Sequence, residues 1–210
     1  MVPDSRERML LVAERLFAER GIGAVSLREI GAEAGQRNNS AAQYHYGSKQ
    51  GLVDAIVEYR MAPINARRLA LLAAAETLRD LVEALVEPFV EQGDGMAPTW
   101  YARFIERAMA EPDTRVFGSL AHPVMRGLRE VVERLGAALD DLPAPVRVHR
   151  LALSGSLVVH AVAARERAAG DPLPAAWFAA DLVDATVGIL TAPVSAATAR
   201  ELRAAARLTA

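Results

Sequence analysis

Between Glu33 and Asp54 twenty consecutive residues carry no carboxylate, although the 210-residue chain contains 26 acids. The window holds Gln36, Arg37, Asn38, Asn39, Ser40, Gln43, Tyr44, His45, Tyr46, Ser48, Lys49 and Gln50, which is nearly the full set of neutral donors and acceptors plus two cations. A carboxylate beside a phosphate is repelled, whereas amides and hydroxyls read base edges or hold backbone oxygens. The pattern fits a face turned toward duplex DNA. Lys49 is the sole lysine of a chain whose other cations are arginines.

The remaining chemistry is sparse. With no cysteine there is no disulfide, thiolate zinc site or thiol nucleophile. Neither HExxH, GxSxG nor a phosphate-cradling glycine loop occurs, and Leu153-Ser154-Gly155-Ser156 lacks the flanks of a nucleophile elbow. His149 and His160 are not spaced to share a metal on one helix face. No catalysis, cofactor or metal is expected. The larger side chains Trp100, Tyr101, Phe104, Met109, Phe117, His122, Met125 and Trp177 can shape an apolar cavity with a few polar handles, and His160 is a further candidate for it. Such residues are also ordinary core material.

The elements that position these groups are helical throughout, because apolar residues recur at helical spacing and no alternating run appears. Met9, Val12, Ala13, Leu16 and Phe17 place helix one over Ser5 to Arg20, stopped by Gly21. Ser26 and Glu29 form a capping box that opens a short helix ending at Gly35. After the polar Gln36-Arg37-Asn38-Asn39 comes a brief helix, Ser40 to Tyr46, closed by Gly47. Ser48 caps a fourth helix expected to end near Met61, before Pro63. Breaks at Gln92 to Pro98, Glu111 to Asp113, Ala121 to Pro123, Leu142 to Pro145 and Gly170 to Pro174 cut the rest into five or six helices. Two of these are long, Pro145 to Ala169 and Pro174 to Thr191, and a polar one closes the chain over Ala196 to Leu208.

Three short helices, the last two joined by a polar turn, outline a helix-turn-helix unit. The run Ser26-Leu27-Arg28-Glu29-Ile30-Gly31-Ala32-Glu33-Ala34-Gly35, then Gln43-Tyr44-His45-Tyr46-Gly47-Ser48-Lys49 and Leu52-Val53, resembles the DNA-binding domain of TetR-family transcriptional regulators. The resemblance covers about Ser5 to Arg60. It departs from the family pattern by one extra turn residue around Asn38-Asn39, by Tyr46 in place of phenylalanine, by Gly47 in place of proline, and by Ala42-Gln43 in place of a leucine and often a tyrosine.

The resemblance implies phosphate contacts from Ser26, Tyr44 and Lys49, with His45 in the aromatic pair. The residue chemistry points to Asn39, Ser40 and Gln43 as base readers and to Arg37 for guanine or phosphate. Other roles stay open: Ser26 and Ser48 are N-caps with or without DNA, Asn38 and Asn39 tolerate left-handed turns, His45 can pack under helix one, and Tyr46 reads as core.

The expected protein is all-α, with a helix-turn-helix DNA-binding domain over 1–62, helix four serving as connector from about residue 48, and a helical bundle for ligand binding and dimerisation over 63–210. Leu151, Ser154, Gly155, Val158, Val162 and Ala163, continued by Ala180, Val183, Asp184, Val187 and Leu190, form a small-residue stripe suited to a homodimer through the last two long helices or to the chain's own core. Expected partners are a palindromic double-stranded operator, a second copy, and an apolar or amphipathic small-molecule effector. Charged residues throughout Met1 to Phe17 leave no uninterrupted apolar core for a secretory signal, so a cytoplasmic protein without a membrane span is expected. The function that follows is ligand-released repression, the alternatives being a helical enzyme or a protein-binding adaptor.

Overall fold

The computed structural model describes residues 4–36, 41–92, 99–112, 114, 123–168 and 173–208. Among them the elements are helices: α1 (Ser5–Arg20), α2 (Leu27–Glu33), α3 (Ala41–Tyr46), α4 (Lys49–Ala74), α5 (Leu78–Glu91), α6 (Tyr101–Ala110), a 3-10 turn (Pro123–Met125), α7 (Arg126–Ala138), α8 (Ala144–Arg167), α9 (Ala175–Thr191) and α10 (Ala196–Leu208). The predicted all-α class is correct. No single described helix is long and apolar enough to cross a membrane.

The largest departure from expectation is α4. Pro63 removes the N–H that would bond the Tyr59 carbonyl, and interior proline costs about 3 kcal/mol in a helix. The helix nevertheless runs through it to Ala74, because Met61, Ile64 and Leu72 lie buried on both sides of the break and Arg134 of α7 donates to the last carbonyls, Leu72 at 2.5 Å and Ala75 at 2.7 Å. Tertiary packing overrides the local stop. The true end is at Ala75, followed by a second capping box in which Thr77 accepts from the Asp80 N–H while the Asp80 carboxylate accepts from the Thr77 N–H. That break was legible as Thr77-x-x-Asp80, and no break was expected there.

One core spans both halves. Met9, Phe17, Ile30 and Leu52 of the first four helices and Phe104, Ile105, Val131 and Leu190 of the others belong to the same buried cluster. Phe17 stacks on Phe104 with ring centroids 6.2 Å apart, joining α1 to α6. Burial at this scale fixes α1 and α4 against the bundle, so the N-terminal unit and the C-terminal helices are mechanically continuous.

The stripe on α8 and α9 divides by burial. Ser154, Val158, Val162, Ala163, Val183 and Leu190 are buried in this chain's own core. Exposed on the same two helices are Val148 (66%), Leu153 (45%) and Trp177 (50%), with Ala152, Ala180, Ala185 and Gly188 also exposed. Asp184 is exposed and paired with Arg79 of α5 at 2.6 Å.

Candidate nucleic-acid interface and effector cavity

Helix α3 is six residues long and divides its side chains cleanly. Ala41, Ala42 and Tyr46 are buried, whereas the consecutive Gln43, Tyr44 and His45 are exposed, Tyr44 by 84%. Two small alanines let the helix sit close against its neighbours, and Tyr46 anchors it by donating its hydroxyl to the Arg6 carbonyl of α1 at 2.8 Å. Burial pushes the Tyr46 phenol above its ordinary pKa. The aromatic position predicted as core is therefore a tie to α1. His45 does not pack under that helix, since its ring meets Tyr44 edge-on at 5.3 Å.

Gly47 closes α3 at φ +72°, a conformation that glycine adopts without cost and that proline, locked near −65°, cannot reach. The departure from the family's usual proline thus changes the backbone path, and Ser48 then caps α4 by accepting from the Gly51 N–H at 3.0 Å. Ser26 does the same for α2, accepting from the Glu29 N–H at 3.2 Å. Both serines are exposed N-caps, and each cap uses an oxygen lone pair and leaves the hydroxyl proton able to donate.

Lys49 has a structural partner that spacing did not reveal. Its Nζ donates to the carbonyls of Ile22 and Gly23 at 3.0 and 2.9 Å, stapling the start of α4 to the turn between α1 and α2. The ammonium has three donors, so one remains for a phosphate. The acids nearest the carboxylate-free window are themselves compensated: Glu33 pairs with Arg15, Glu29 pairs with Arg20, and Asp54 accepts from Gln50 at 2.8 Å. Arg37, Asn38, Asn39 and Ser40 lie outside the described residues.

A cavity of about 310 Å³ lies between α4, α5, α6, α7 and α8. Met61, Phe89, Ile105, Leu128 and Val159 give it apolar walls, and Arg68, Tyr101 and Ser156 are its polar components. Of the residues expected to shape it, Tyr101 and Met109 are in the wall. Phe104 is fully buried between Phe17 and Tyr101, and Met125 is buried in the core. Trp100 lies under the Arg103 guanidinium at 4.5 Å, and the exposed His160 bonds the Ser156 carbonyl through Nδ1 at 2.8 Å. None of these four is in the cavity lining. Phe117 and His122 lie outside the described residues. Arg68 was not anticipated, because arginine is common in this chain and only the fold buries this one.

Helix α6 connects the two sites. One face supplies Tyr101, Ile105 and Met109 to the cavity, Phe104 stacks on α1, and beyond its end Glu111 accepts the Gly23 N–H at 3.3 Å. Its N-terminus is held by Glu166 of α8, which accepts from the N–H groups of Ala102 and Arg103 at 3.1 and 3.0 Å. Beside it a buried ion pair ties α1 to α4: Glu14, 2% exposed, takes two hydrogen bonds from Arg60 at 2.6 and 2.8 Å and a third from the Trp100 N–H at 3.1 Å. Burial alone would lower the Arg60 pKa, but the hydrogen bonds and charge of Glu14 raise it overall.

Comparison with known proteins agrees with this arrangement. Residues 10–56 match the bacterial regulatory proteins of the tetR family, and residues 83–193 match the tetracyclin repressor-like C-terminal domain. The HTH-type transcriptional repressor KstR2 of Rhodococcus jostii is 33% identical over 89 residues, a stretch that is 42% of this chain and 43% of that relative. Among solved structures, a Shewanella sp. PV-4 chain assigned to the tetR family superposes with a TM-score of 0.64 at 18% identity, covering 90% of this chain and 96% of that one. AmtR of Mycobacterium smegmatis gives 0.61 at 21% identity, covering 95% of each. The second of the two matched regions alone spans more than half of the 210 residues, and the chain belongs to the TetR family of bacterial regulatory proteins.

Proposed function

We propose that the protein is a dimeric, sequence-specific DNA-binding regulator that releases a palindromic operator when a small molecule occupies the α4–α8 cavity. One observation carries the reading: α6 is at once a wall of the cavity and a support of the α1–α2 turn, through the Glu111 to Gly23 hydrogen bond. Tyr44, His45 and Gln43 form the exposed face of the recognition helix, with Ser26, Ser48 and Lys49 at flanking phosphates and the 37–40 segment completing the base readers. A ligand that prefers the cavity geometry of the DNA-incompetent state lowers operator affinity by that preference, typically about 1–3 kcal/mol of coupling. The exposed apolar side chains Val148, Leu153 and Trp177, with the small Ala152, Ala180, Ala185 and Gly188 beside them on α8 and α9, support a homodimer through these two helices, because large apolar side chains left in water favour burial against a second copy.

Selection of bound fragments from the source organism's DNA tests the reading. A shared inverted repeat, with two recognition helices one helical turn apart, is the expected result. Recovery of fragments without any common sequence overturns it.

A further inference from the structure

The cavity contains a charge that the fold leaves uncompensated. Arg68 is 3% exposed, and its hydrogen bonds go to neutral acceptors: Nε to the Ala84 carbonyl at 3.0 Å, Nη1 to Asn65 Oδ1 at 3.1 Å and Nη2 to the Leu85 carbonyl at 3.3 Å. Among the described residues it has no carboxylate partner, in contrast to Arg60, which is bound bidentately by Glu14. Burial pulls its pKa down to about 10, so it stays protonated at neutral pH. Three of its five N–H groups are used and two remain. Tyr101, also in the wall, has a buried hydroxyl with no hydrogen-bond partner among the described residues. Burial pushes that phenol upward in pKa, so it is a neutral donor.

A buried, unpaired cation and an unpaired buried hydroxyl are each costly, and both are satisfied at once by a single acceptor bearing negative charge. The remaining wall is aliphatic and aromatic. At about 30 Å³ per non-hydrogen atom, 310 Å³ holds on the order of ten such atoms.

We propose that the effector is an amphipathic carboxylate, its head group held by Arg68 and the Tyr101 hydroxyl and its apolar tail of roughly seven carbons lying among Met61, Phe89, Ile105 and Leu128. The proposal rests on the cavity being the effector site and adds the sign and geometry of the ligand's head. Two N–H groups on one guanidinium match the two oxygens of a carboxylate.

Calorimetric titration of the DNA-free protein separates this from the regulatory reading. The probes are straight-chain carboxylates from hexanoate to dodecanoate, each compared with the alcohol and the amine of equal length. Carboxylates should bind at least ten-fold more tightly than the matching alcohols, and the amines should not bind. Arg68→Met should abolish the preference. Because Arg68 also braces the Ala84 and Leu85 carbonyls, Tyr101→Phe serves as a second variant: it keeps the ring stack on Phe104 and should weaken the carboxylate about five-fold without lowering the melting temperature.

Equal or tighter binding of the alcohols, survival of the preference in Arg68→Met, tighter binding of decyl phosphate than decanoate, or no binding by any probe overturns the carboxylate assignment. Binding of alcohols that Gly155→Leu blocks, at the α8 wall, would overturn the head group while leaving the cavity as effector site. Loss of operator recognition in the fragment selection would instead remove the regulatory reading and leave the calorimetry intact.

Discussion

Glu111 accepts the backbone N–H of Gly23 at 3.3 Å, so a side chain just past the last turn of the cavity helix α6 holds the turn that precedes α2. Lys49 grips the same turn from the other side through the Gly23 carbonyl. The segment between α1 and α2 is thus clamped by one group from the bundle and one from the start of α4. In the proposed regulation the route from α6 to the DNA-binding unit is the Ile22–Gly23 peptide, whose carbonyl accepts from Lys49 and whose N–H donates to Glu111.

Glu111→Ala removes the link without touching the cavity or α3. Effector binding and operator binding, each measured alone, should stay within about two-fold of the parent. The coupling between them should fall by roughly 1 kcal/mol, read as a smaller shift in operator Kd at saturating ligand. Unchanged coupling would show that the signal travels by another route, such as the Phe17–Phe104 stack.

Lys49→Ala should act twice. Loss of a phosphate contact weakens specific and random duplexes alike and reduces the salt slope by about 0.9. Loss of the hydrogen bonds to Ile22 and Gly23 costs about 1 kcal/mol of stability in urea unfolding. Lower stability with an unchanged salt slope would make Lys49 a staple only.

Gln43→Ala, on the exposed face of α3, should cost about 1–3 kcal/mol of discrimination against mismatched operators while leaving random-sequence affinity nearly unchanged. Competition binding with shuffled operators measures it. An equal loss on both kinds of DNA would place Gln43 on phosphate.

Glu14→Gln leaves the Arg60 guanidinium half-buried without its counter-charge, and breaking such a pair typically costs about 3–5 kcal/mol. Denaturant unfolding should show a loss of that order together with weaker operator binding, since the same carboxylate bridges α1, α4 and the start of α6.

Glu166 gives the fold a dependence on pH. Burial pushes its carboxyl above the ordinary value of 4.5, although bonds from the Arg103 and Ala102 N–H groups and the Thr99 hydroxyl pull the other way. The folded state therefore binds this proton more tightly than the unfolded chain, and its contribution to stability falls as pH rises from 4.5 through the raised folded value. Glu166→Gln should flatten that part of the stability profile. A profile of unchanged slope would locate the dependence elsewhere.

The sequence by itself determined the local features. The capping box at Ser26, the stops at Gly21, Gly35 and Gly47, and the carboxylate-free window all depend on neighbouring residues and on charge, which covalent order already specifies. They were enough to place three helices and an exposed polar face. The tertiary structure decided whatever depends on residues far apart in the chain. It carried α4 through Pro63, because burial on both sides outweighs one missing hydrogen bond, and it took most of the α8 stripe into the core. It also turned Lys49 into a staple on Gly23 and buried Arg68 without a partner acid among the described residues. Burial and long-range pairing are properties of the packed chain, and no spacing rule along the sequence contains them.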